Sequence, residues 1–193
     1  MLMDSLTGQL LLATPSLQDP NFAGSVVLIC HHDADGSMGL IINRPQTITI
    51  GEVLTDLEFN MLPDSDPNSL QIQKDSLTFE GGPVDPFRGF ILHDGWHVYE
   101  STMQISPELH LTTSRDVLED VGKGTGPEHF IMLLGYAGWG AEQLEEEITN
   151  NDWLVAPATQ NLIFQTPPEL RWTLGANSMG IDKSHLSSEI GHA

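Results

Sequence analysis

Residues 135–153 read GYAGWGAEQLEEEITNNDW, a glycine-rich aromatic segment that runs directly into an acidic helical pattern. The three glycines of GYAGWG can adopt positive φ or let neighbouring backbones approach, while Tyr136 and Trp139 provide large apolar surfaces. The segment predicts a strand end that folds sharply into a helix. It holds no paired nucleophile and base, no metal-ligand set and no phosphate loop, so it indicates a scaffold rather than a reaction.

The segment after Ala141 has the spacing of an amphipathic helix. Leu144 and Ile148 lie four residues apart, so one stripe faces a core. The glutamates are spread over the rest of the helix and are expected to point mostly to solvent: Glu142, Glu145, Glu146 and Glu147. We interpret them as a solvated face, with docking of a basic partner as the alternative. Glu145→Ala is then expected to change the free energy of unfolding by no more than ~0.5 kcal/mol.

Apolar patterns elsewhere predict strands interspersed with helices. Strands are predicted near residues 9–13, 25–31, 39–43, 76–79, 89–93, 96–100, 109–111, 130–134, 153–156 and 162–164. Helices are predicted at about 50–57, 114–121 and 168–178. Thr49 and Glu52 form a capping box for the first helix, and the second has Thr113 as its N-cap and Gly122 as its stop. This order predicts an α+β fold.

Three further blocks accompany the opening segment in fixed order: LTGQLLLATPSLQDPNFAGSVVLICHHDADGSMGLIINRP (6–45), FEGGPVDPFRGFILH (79–93) and RWTLGANSMGID (171–182). Together the four blocks resemble the bacterial YqgE/AlgH family. Two positions depart from it, since Glu142 stands where a glycine is expected and Phe87 where a charged residue is more usual. The resemblance implies a branched mixed β-sheet that forms a pseudo-barrel flanked by helices. It also implies an unsettled activity, with a transcriptional-regulator label on some members.

Length and composition are those of one globular domain. A chain of 193 residues with 39% hydrophobic side chains buries roughly 70% of its unfolded surface. We expect a single domain over residues 1–182 and a flexible tail over 183–193. No apolar run approaches the ~20 residues of a membrane helix, and residues 1–18 lack a secretory signal, so a cytoplasmic location is expected.

The charge balance limits the classes of partner. The net charge is −20, from 27 acidic against 7 basic residues. The bases are scattered: Arg44, Lys74, Arg88, Arg115, Lys123, Arg171 and Lys183. DNA binding requires clustered bases, so we expect no direct contact with nucleic acid and none with anionic membrane. A regulatory role is expected to act through a protein or a small ligand.

Isolated chemical groups give no catalytic or metal signature. Cys30 lies in the apolar run SVVLICHH on the same strand face as Val26 and Leu28, and is expected to be buried and inert. His93 and His97 have the spacing of a helical metal pair, but Asp94-Gly95 predicts a two-residue hairpin that places them on opposite faces. The segment HHDADG lacks the ligands of a calcium loop and is interpreted as a turn with Asp35 and Gly36 at positive φ. We expect no metal and no cofactor.

A set of residues at predicted strand exits is the candidate ligand site. Its members match the family blocks: His32, Asn43, Arg44, Gly81, Gly82 and His93. Arg44 can hold a carboxylate or phosphate through two hydrogen bonds, and His93 can exchange protons near neutral pH. The structural alternative is that the glycines form a bend, the arginine pairs with an internal carboxylate and the histidine satisfies a buried carbonyl.

Three functional hypotheses follow. The first is a binding or regulatory module for a protein or a small polar or anionic ligand. An anion or a polar molecule is expected because Arg44, the only base among the first 73 residues, would be the main positive group at the site. The second is an enzyme of unrecognised class around His32, Arg44 and His93. The third, a DNA-contacting regulator, is disfavoured by the net charge. The ligand site requires segments 43–44 and 81–84 to be neighbours, with at least one of the two histidines beside them.

Overall fold

The structure, a computed structural model, describes residues 5–58, 75–95, 97–182 and 186. In this part of the chain ten strands form one sheet: β1 Gln9–Ala13, β2 Val26–Asp33, β3 Gly36–Ile41, β4 Pro45–Thr49, β5 Leu77–Glu80, β6 Val84–His93, β7 Thr102–Ser106, β8 Leu109–Thr112, β9 Phe130–Gly140 and β10 Trp153–Pro157. Over residues 5–58, 75–95 and 97–182, four α-helices and a π-helical turn have defined bounds: α1 Ile50–Asp56, α2 Arg115–Lys123, α3 Gln143–Thr149, α4 Pro168–Ser178 and the π-helical turn Asn161–Gln165.

The sheet branches at β9. The main order is β10-β1-β2-β3-β9-β6-β8-β7, while β5 pairs with β9 and with β4. Phe79 of β5 lies opposite Leu133 in parallel, and Gly39 of β3 lies opposite Ala137 in antiparallel register. The curled sheet forms a half-barrel with flanking helices, which confirms the predicted α+β fold with a branched mixed sheet.

Close backbone approach at the branch explains several glycines. A Cβ atom on Gly81 would lie 2.2 Å from the backbone oxygen of Gly135, and one on Gly82 would lie 2.2 Å from the carbonyl carbon of Tyr136. Such distances exclude any side chain. Gly135 has φ +76°, which a residue with a side chain rarely adopts.

The segment GYAGWG continues β9 to Gly140, so the predicted sharp turn at this point is wrong. The chain turns at Glu142, the N-cap of α3, which has φ 63°. This residue occupies the left-handed conformation at the position where the family resemblance leads one to expect glycine.

The buried side chains of the described residues form three clusters. Strand alternation divides β1 between two of them, since Leu10 and Leu12 belong to the first cluster and Leu11 to the second. Cys30 lies in the first cluster with Val26 and Leu28, as predicted, and burial raises the pKa of its thiol. The third cluster packs α1 and α2 against β6 and β9.

Several local predictions are confirmed and others are wrong. The capping box of Thr49 and Glu52 begins α1, and α4 spans the predicted residues. The N-cap of α2 is Ser114 rather than Thr113, and the helix ends at Gly124, which has φ 73°, rather than at Gly122. Residues 162–164 form the π-helical turn instead of a strand.

The predicted hairpin at Asp94-Gly95 is absent. The backbone nitrogen of Asp94 donates to the oxygen of His129 at 3.1 Å, and its carboxylate holds the His129 ring at 2.7 Å. This anchoring directs the chain out of the sheet, and residues 97–100 are not a strand. In the β2–β3 turn only Gly36, not Asp35, has a positive φ.

Parts of two predicted elements lie outside the described residues. These parts are residues 183–185 and 187–193 of the predicted tail and Trp96 of the predicted strand 96–100. Leu186 of the tail is described and packs against the first cluster. Within the described ranges, none of the helices combines the length and the apolar character needed to cross a membrane.

Candidate functional site

The two predicted segments around residues 44 and 81 are neighbours. The backbone oxygen of Arg44 accepts a hydrogen bond from the nitrogen of Glu80 at 2.9 Å, and the oxygen of Gly81 accepts one from Ile41 at 2.7 Å. This part of the prediction is confirmed. The backbones of Gly81 and Gly82 pack directly on β9, so that close packing accounts for both glycines.

The side chains of Asn43 and Arg44 hold the loop before β2. Asn43 Oδ1 accepts from the nitrogen of Val26 at 2.8 Å. The Arg44 guanidinium donates to the backbone oxygens of Asn21 at 2.6 Å and Ala23 at 3.1 Å. Its bonded partners are carbonyls rather than the expected carboxylates, and it is half-buried. Arg44 therefore stabilises a loop.

His32 connects β2 to the segment before β1 and to α3. Its Nδ1 lies 2.9 Å from the backbone nitrogen of Leu6, and its Nε2 lies 2.8 Å from Glu145 Oε1. A backbone N–H only donates, so Nδ1 accepts and the proton on Nε2 is donated to the carboxylate. This hydrogen bond holds the pKa of Glu145 below its usual value. Glu145 is thus not the unpartnered surface residue that the helix pattern predicted.

His93 is fully buried at the end of β6. Its Nδ1 lies 3.0 Å from the backbone oxygen of Asp94, and its Nε2 lies 2.9 Å from Thr112 Oγ1. Burial lowers the pKa of His93, and the hydrogen bond to Asp94 opposes this effect. The His110 ring stacks on it with centroids 5.7 Å apart. His93 satisfies a carbonyl, as the structural alternative proposed.

Neither histidine lies beside the 43–44 and 81–84 segments. Val26 bonds to Asn43, and His32 is six residues further along β2, roughly 20 Å away. Val84, the last residue of the second segment, pairs with Tyr136 of β9, whereas His93 pairs with Phe130, six residues away along that strand, which is roughly 20 Å. The structure therefore does not gather His32, Arg44 and His93 into one site.

Near the segments 43–44 and 81–84, Arg171 of α4 lines a cavity together with Pro45 and Phe79. Only 3% of its surface is exposed. Its Nε donates to the backbone oxygen of Thr166 at 3.0 Å, its Nη1 donates to that of Ile42, and the guanidinium lies 5.2 Å from the centroid of the Phe79 ring. Burial lowers its pKa to about 10, an effect that the charge of Glu169 opposes. No ion pair joins Arg171 to a carboxylate of the described residues.

Arg171 lines a cavity of about 580 Å³. The other walls are mostly apolar and aromatic: Pro45, Ile50, Leu77, Phe79, Phe130, Ile131 and Phe164, with Gln165 and Glu169 as polar neighbours. The π-helical turn supplies Phe164 and Gln165, and its end is closed by the bond from the Thr166 nitrogen to the Asn161 oxygen at 2.9 Å. π-Helical turns are frequently found at functional sites.

Sequence reasoning missed Arg171, although a signal was present. The buried face of α4 consists of Arg171, Trp172, Gly175 and Ala176, which recur with helical spacing. An arginine on the apolar stripe of a short helix is uncommon, because a buried charge requires compensation. The predicted strand 76–79 is present as β5, but the cavity also depends on β4, which pairs with β5, and on the π-helical turn, and the sequence revealed neither of these two.

The comparisons with known sequences agree with the fold. The sequence profile of the AlgH-like family matches residues 10–184. A UPF0301 protein of Methylococcus capsulatus is 46% identical over 187 residues, which cover 97% of this chain and 96% of the relative. A UPF0301 protein of Xanthomonas oryzae is 44% identical over 188 residues, with 97% and 96% coverage.

Two solved structures are similar. The solution structure of the AlgH protein from Pseudomonas aeruginosa has a TM-score of 0.77 and 41% identity, with 100% of both chains covered. A crystal structure of a protein from Corynebacterium diphtheriae has a TM-score of 0.65 at 20% identity, covering 87% of this chain and 85% of that one, and supports the fold alone. On the profile match, the identities and the shared half-barrel, this chain belongs to the AlgH-like family.

Proposed function

We propose that this protein is a cytoplasmic binding module that takes a small anionic ligand with an apolar body into the cavity at Arg171. The proposal rests on one observation: a nearly inaccessible guanidinium contacts two backbone carbonyls and an aromatic ring, and lines a cavity without an ion-paired carboxylate.

The energetics of a buried charge support an anionic ligand. Removal of a cation from water costs several kcal/mol, and neutral carbonyls restore only part of the lost solvation. Hydrogen bonds of Arg171 use Nε and Nη1, and within the described residues Nη2 makes none. A carboxylate that binds Nη2 would form a charge-assisted hydrogen bond in a site of low dielectric constant.

The walls of the cavity indicate the rest of the ligand. Phe79, Phe130 and Phe164 provide aromatic surfaces, and the volume lies within the range of small-molecule sites. The net charge of −20 repels polyanions, which favours a small acid with one charge over a nucleotide chain. Glu169 on the rim adds to this discrimination.

The test is an NMR titration with aromatic carboxylates, benzoate and phenylacetate, against their uncharged amides. We expect saturable shifts at Phe79, Phe164 and Thr166 with the acids, and at least about tenfold weaker binding of the amides, which is a loss of ~1.4 kcal/mol. Arg171→Gln should abolish the difference between acid and amide. Arg171→Lys retains the charge without the planar guanidinium and should bind the acids weakly.

The matched control is Arg44→Gln, since Arg44 also donates to two backbone carbonyls but does not line this cavity. It should bind the acids as the wild type does. Equal binding of acids and amides, or unchanged acid binding by a folded Arg171→Gln variant, would refute the proposal.

A further inference from the structure

A second cavity of about 590 Å³ opens within the half-barrel and shares no lining residue with the cavity at Arg171. Its walls combine one base and one acid with apolar and hydroxyl-bearing side chains: Met38, Arg88, Phe90, Glu100, Ser101, Thr102, Met103, Leu111, Thr113 and Tyr136. Because the chain has only seven bases, a base and an acid that line the same cavity indicate which charged groups a ligand would carry.

A strained bulge of β6 presents the base. Val84 pairs with Tyr136 and Gly89 pairs with Leu134, so the four residues 85–88 lie opposite one residue of β9. Asp85 at the start of the bulge has φ 49°, a left-handed conformation that is costly for a residue with a side chain. Bulges of this kind re-aim side chains beside functional sites.

Arg88 follows in the bulge with its guanidinium 5.4 Å from the centroid of the Phe90 ring. The acid, Glu100, lies in the loop before β7, where its backbone nitrogen is fixed by Asp116 at 2.8 Å. Over the described residues neither Arg88 nor Glu100 takes part in an ion pair, with each other or with a third group. Both residues line the cavity, and no ion pair of the described residues neutralises either charge.

A chain of hydrogen bonds determines whether the hydroxyl group of Thr102 donates or accepts toward the cavity. The Asp94 carbonyl only accepts, so His93 donates from Nδ1 and its Nε2 accepts the proton of Thr112. Thr112 has no second proton, and Thr102 must therefore donate to it at 2.8 Å. Thr102 Oγ1 also accepts from the nitrogen of Tyr99 at 3.0 Å.

Thr102 Oγ1 has used its proton and one lone pair in these hydrogen bonds, so its second lone pair can still accept one. Thr102 lines the cavity, so this position offers an acceptor and disfavours a second acceptor. The cavity thus combines a cationic donor at Arg88, an anionic acceptor at Glu100 and a neutral acceptor at Thr102. A ligand that matches all three carries a carboxylate and an ammonium group.

We propose that this cavity binds a free α-amino acid with an apolar side chain. The carboxylate is held by Arg88, the ammonium group by Glu100 and Thr102, and the side chain by Phe90 and the adaptable thioethers of Met38 and Met103. This assignment does not depend on the role of Arg171.

The test is isothermal titration calorimetry of the full chain with L-leucine and two analogues that each lack one charge. N-acetyl-L-leucine removes the ammonium charge and L-leucinamide removes the carboxylate. We expect L-leucine to bind with a Kd below about 10 mM and each analogue to bind at least about tenfold more weakly.

Variants assign the contacts. Arg88→Gln should reduce binding of L-leucine to the level of L-leucinamide with wild-type protein, and Glu100→Gln to the level of N-acetyl-L-leucine. Glu146→Gln, at an exposed position of α3, should leave the affinity unchanged. Arg88→Gln and Glu100→Gln should bind benzoate as the wild type does, because neither residue lines the cavity at Arg171, so each proposal can fail alone.

Three results would overturn the inference: no saturable heat with L-leucine up to about 10 mM, equal affinity for L-leucine and L-leucinamide, or unchanged affinity in both Arg88→Gln and Glu100→Gln. Arg88 and Glu100 are exposed, so these variants should fold. Circular dichroism spectra that match the wild type verify this.

Discussion

Substitution of Glu147 on α3 by alanine should destabilise the protein far more than substitution of its neighbour Glu146. Glu147 Oε2 accepts hydrogen bonds from the indole nitrogens of Trp139 at 2.9 Å and Trp153 at 2.8 Å. Its Oε1 accepts from Gln143 Nε2 at 3.0 Å. Only 5% and 2% of the two tryptophans are exposed, so a single carboxylate joins α3 to β9 and β10.

The magnitude follows from the two indole groups. A hydrogen bond to a charged acceptor contributes about 1.5–3 kcal/mol, and a buried donor without a partner costs about 1–3 kcal/mol. Glu147 is only half-buried, so water replaces part of the lost interaction, and we expect Glu147→Ala to cost about 2–4 kcal/mol in the free energy of unfolding. Glu147→Gln retains an acceptor without the charge and should cost about half as much. Glu146→Ala should stay within ~0.5 kcal/mol.

Urea unfolding followed by tryptophan fluorescence and, independently, by circular dichroism measures these differences. Both probes are needed because the substitution changes the environment of two fluorophores. If Glu147→Ala and Glu146→Ala unfold with free energies within ~0.5 kcal/mol of each other, the carboxylate does not hold the indoles in solution and the reasoning fails.

Substitutions at three other positions and one DNA-binding assay test separate features. Trp139→Ala should cost ~3–5 kcal/mol as a large aromatic truncation, and a loss below ~1 kcal/mol in urea would place the ring outside the core. Glu145→Ala should cost about 1 kcal/mol rather than the surface value, because it removes the partner of His32. The lowered pKa of Glu145 means that its contribution is present above the unfolded value of 4.5 and is lost as pH falls through the folded pKa, so the variant should show a flatter acid limb in pH-dependent unfolding. Glu142→Gly should raise the free energy of unfolding by about 0.5–1 kcal/mol through relief of the left-handed conformation, whereas Glu142→Ala should give no gain in the same melts. Purified protein should not bind duplex DNA at physiological salt, and a salt-sensitive electrophoretic shift at micromolar protein would contradict this expectation.

Features that depend on short-range sequence were predictable. The capping box of Thr49 and Glu52 needs only two residues three apart, and both of its hydrogen bonds are present. The apolar stripe of α3 is equally local, and Leu144 is fully buried as its spacing indicated. Such patterns carry their own geometry, since helical contacts join residues within one turn.

Features that depend on a partner strand were not predictable. Residues 162–164 are apolar like a strand, but their segment satisfies its backbone internally, with the Ile163 nitrogen donating to Thr159 at 3.1 Å. The β6 bulge at 85–88 lies against Gly135 of β9, where a Cβ atom would be 3.3 Å from the Cα atom of Pro86, and nothing within the bulge sequence reveals that contact. Register and bulges arise between strands, so one strand's sequence does not specify them.

The candidate site shows the same limit in the choice between two arginines. Arg44 and Arg171 each donate to two backbone carbonyls, so hydrogen bonding alone does not distinguish them. Burial does. Water reaches the half-buried Arg44 and solvates its remaining charge, whereas only 3% of Arg171 is exposed, so neutral carbonyls replace most of its hydration. The sequence located a base just after β3, but only the packing of α4 on the sheet determines which of the two arginines is buried.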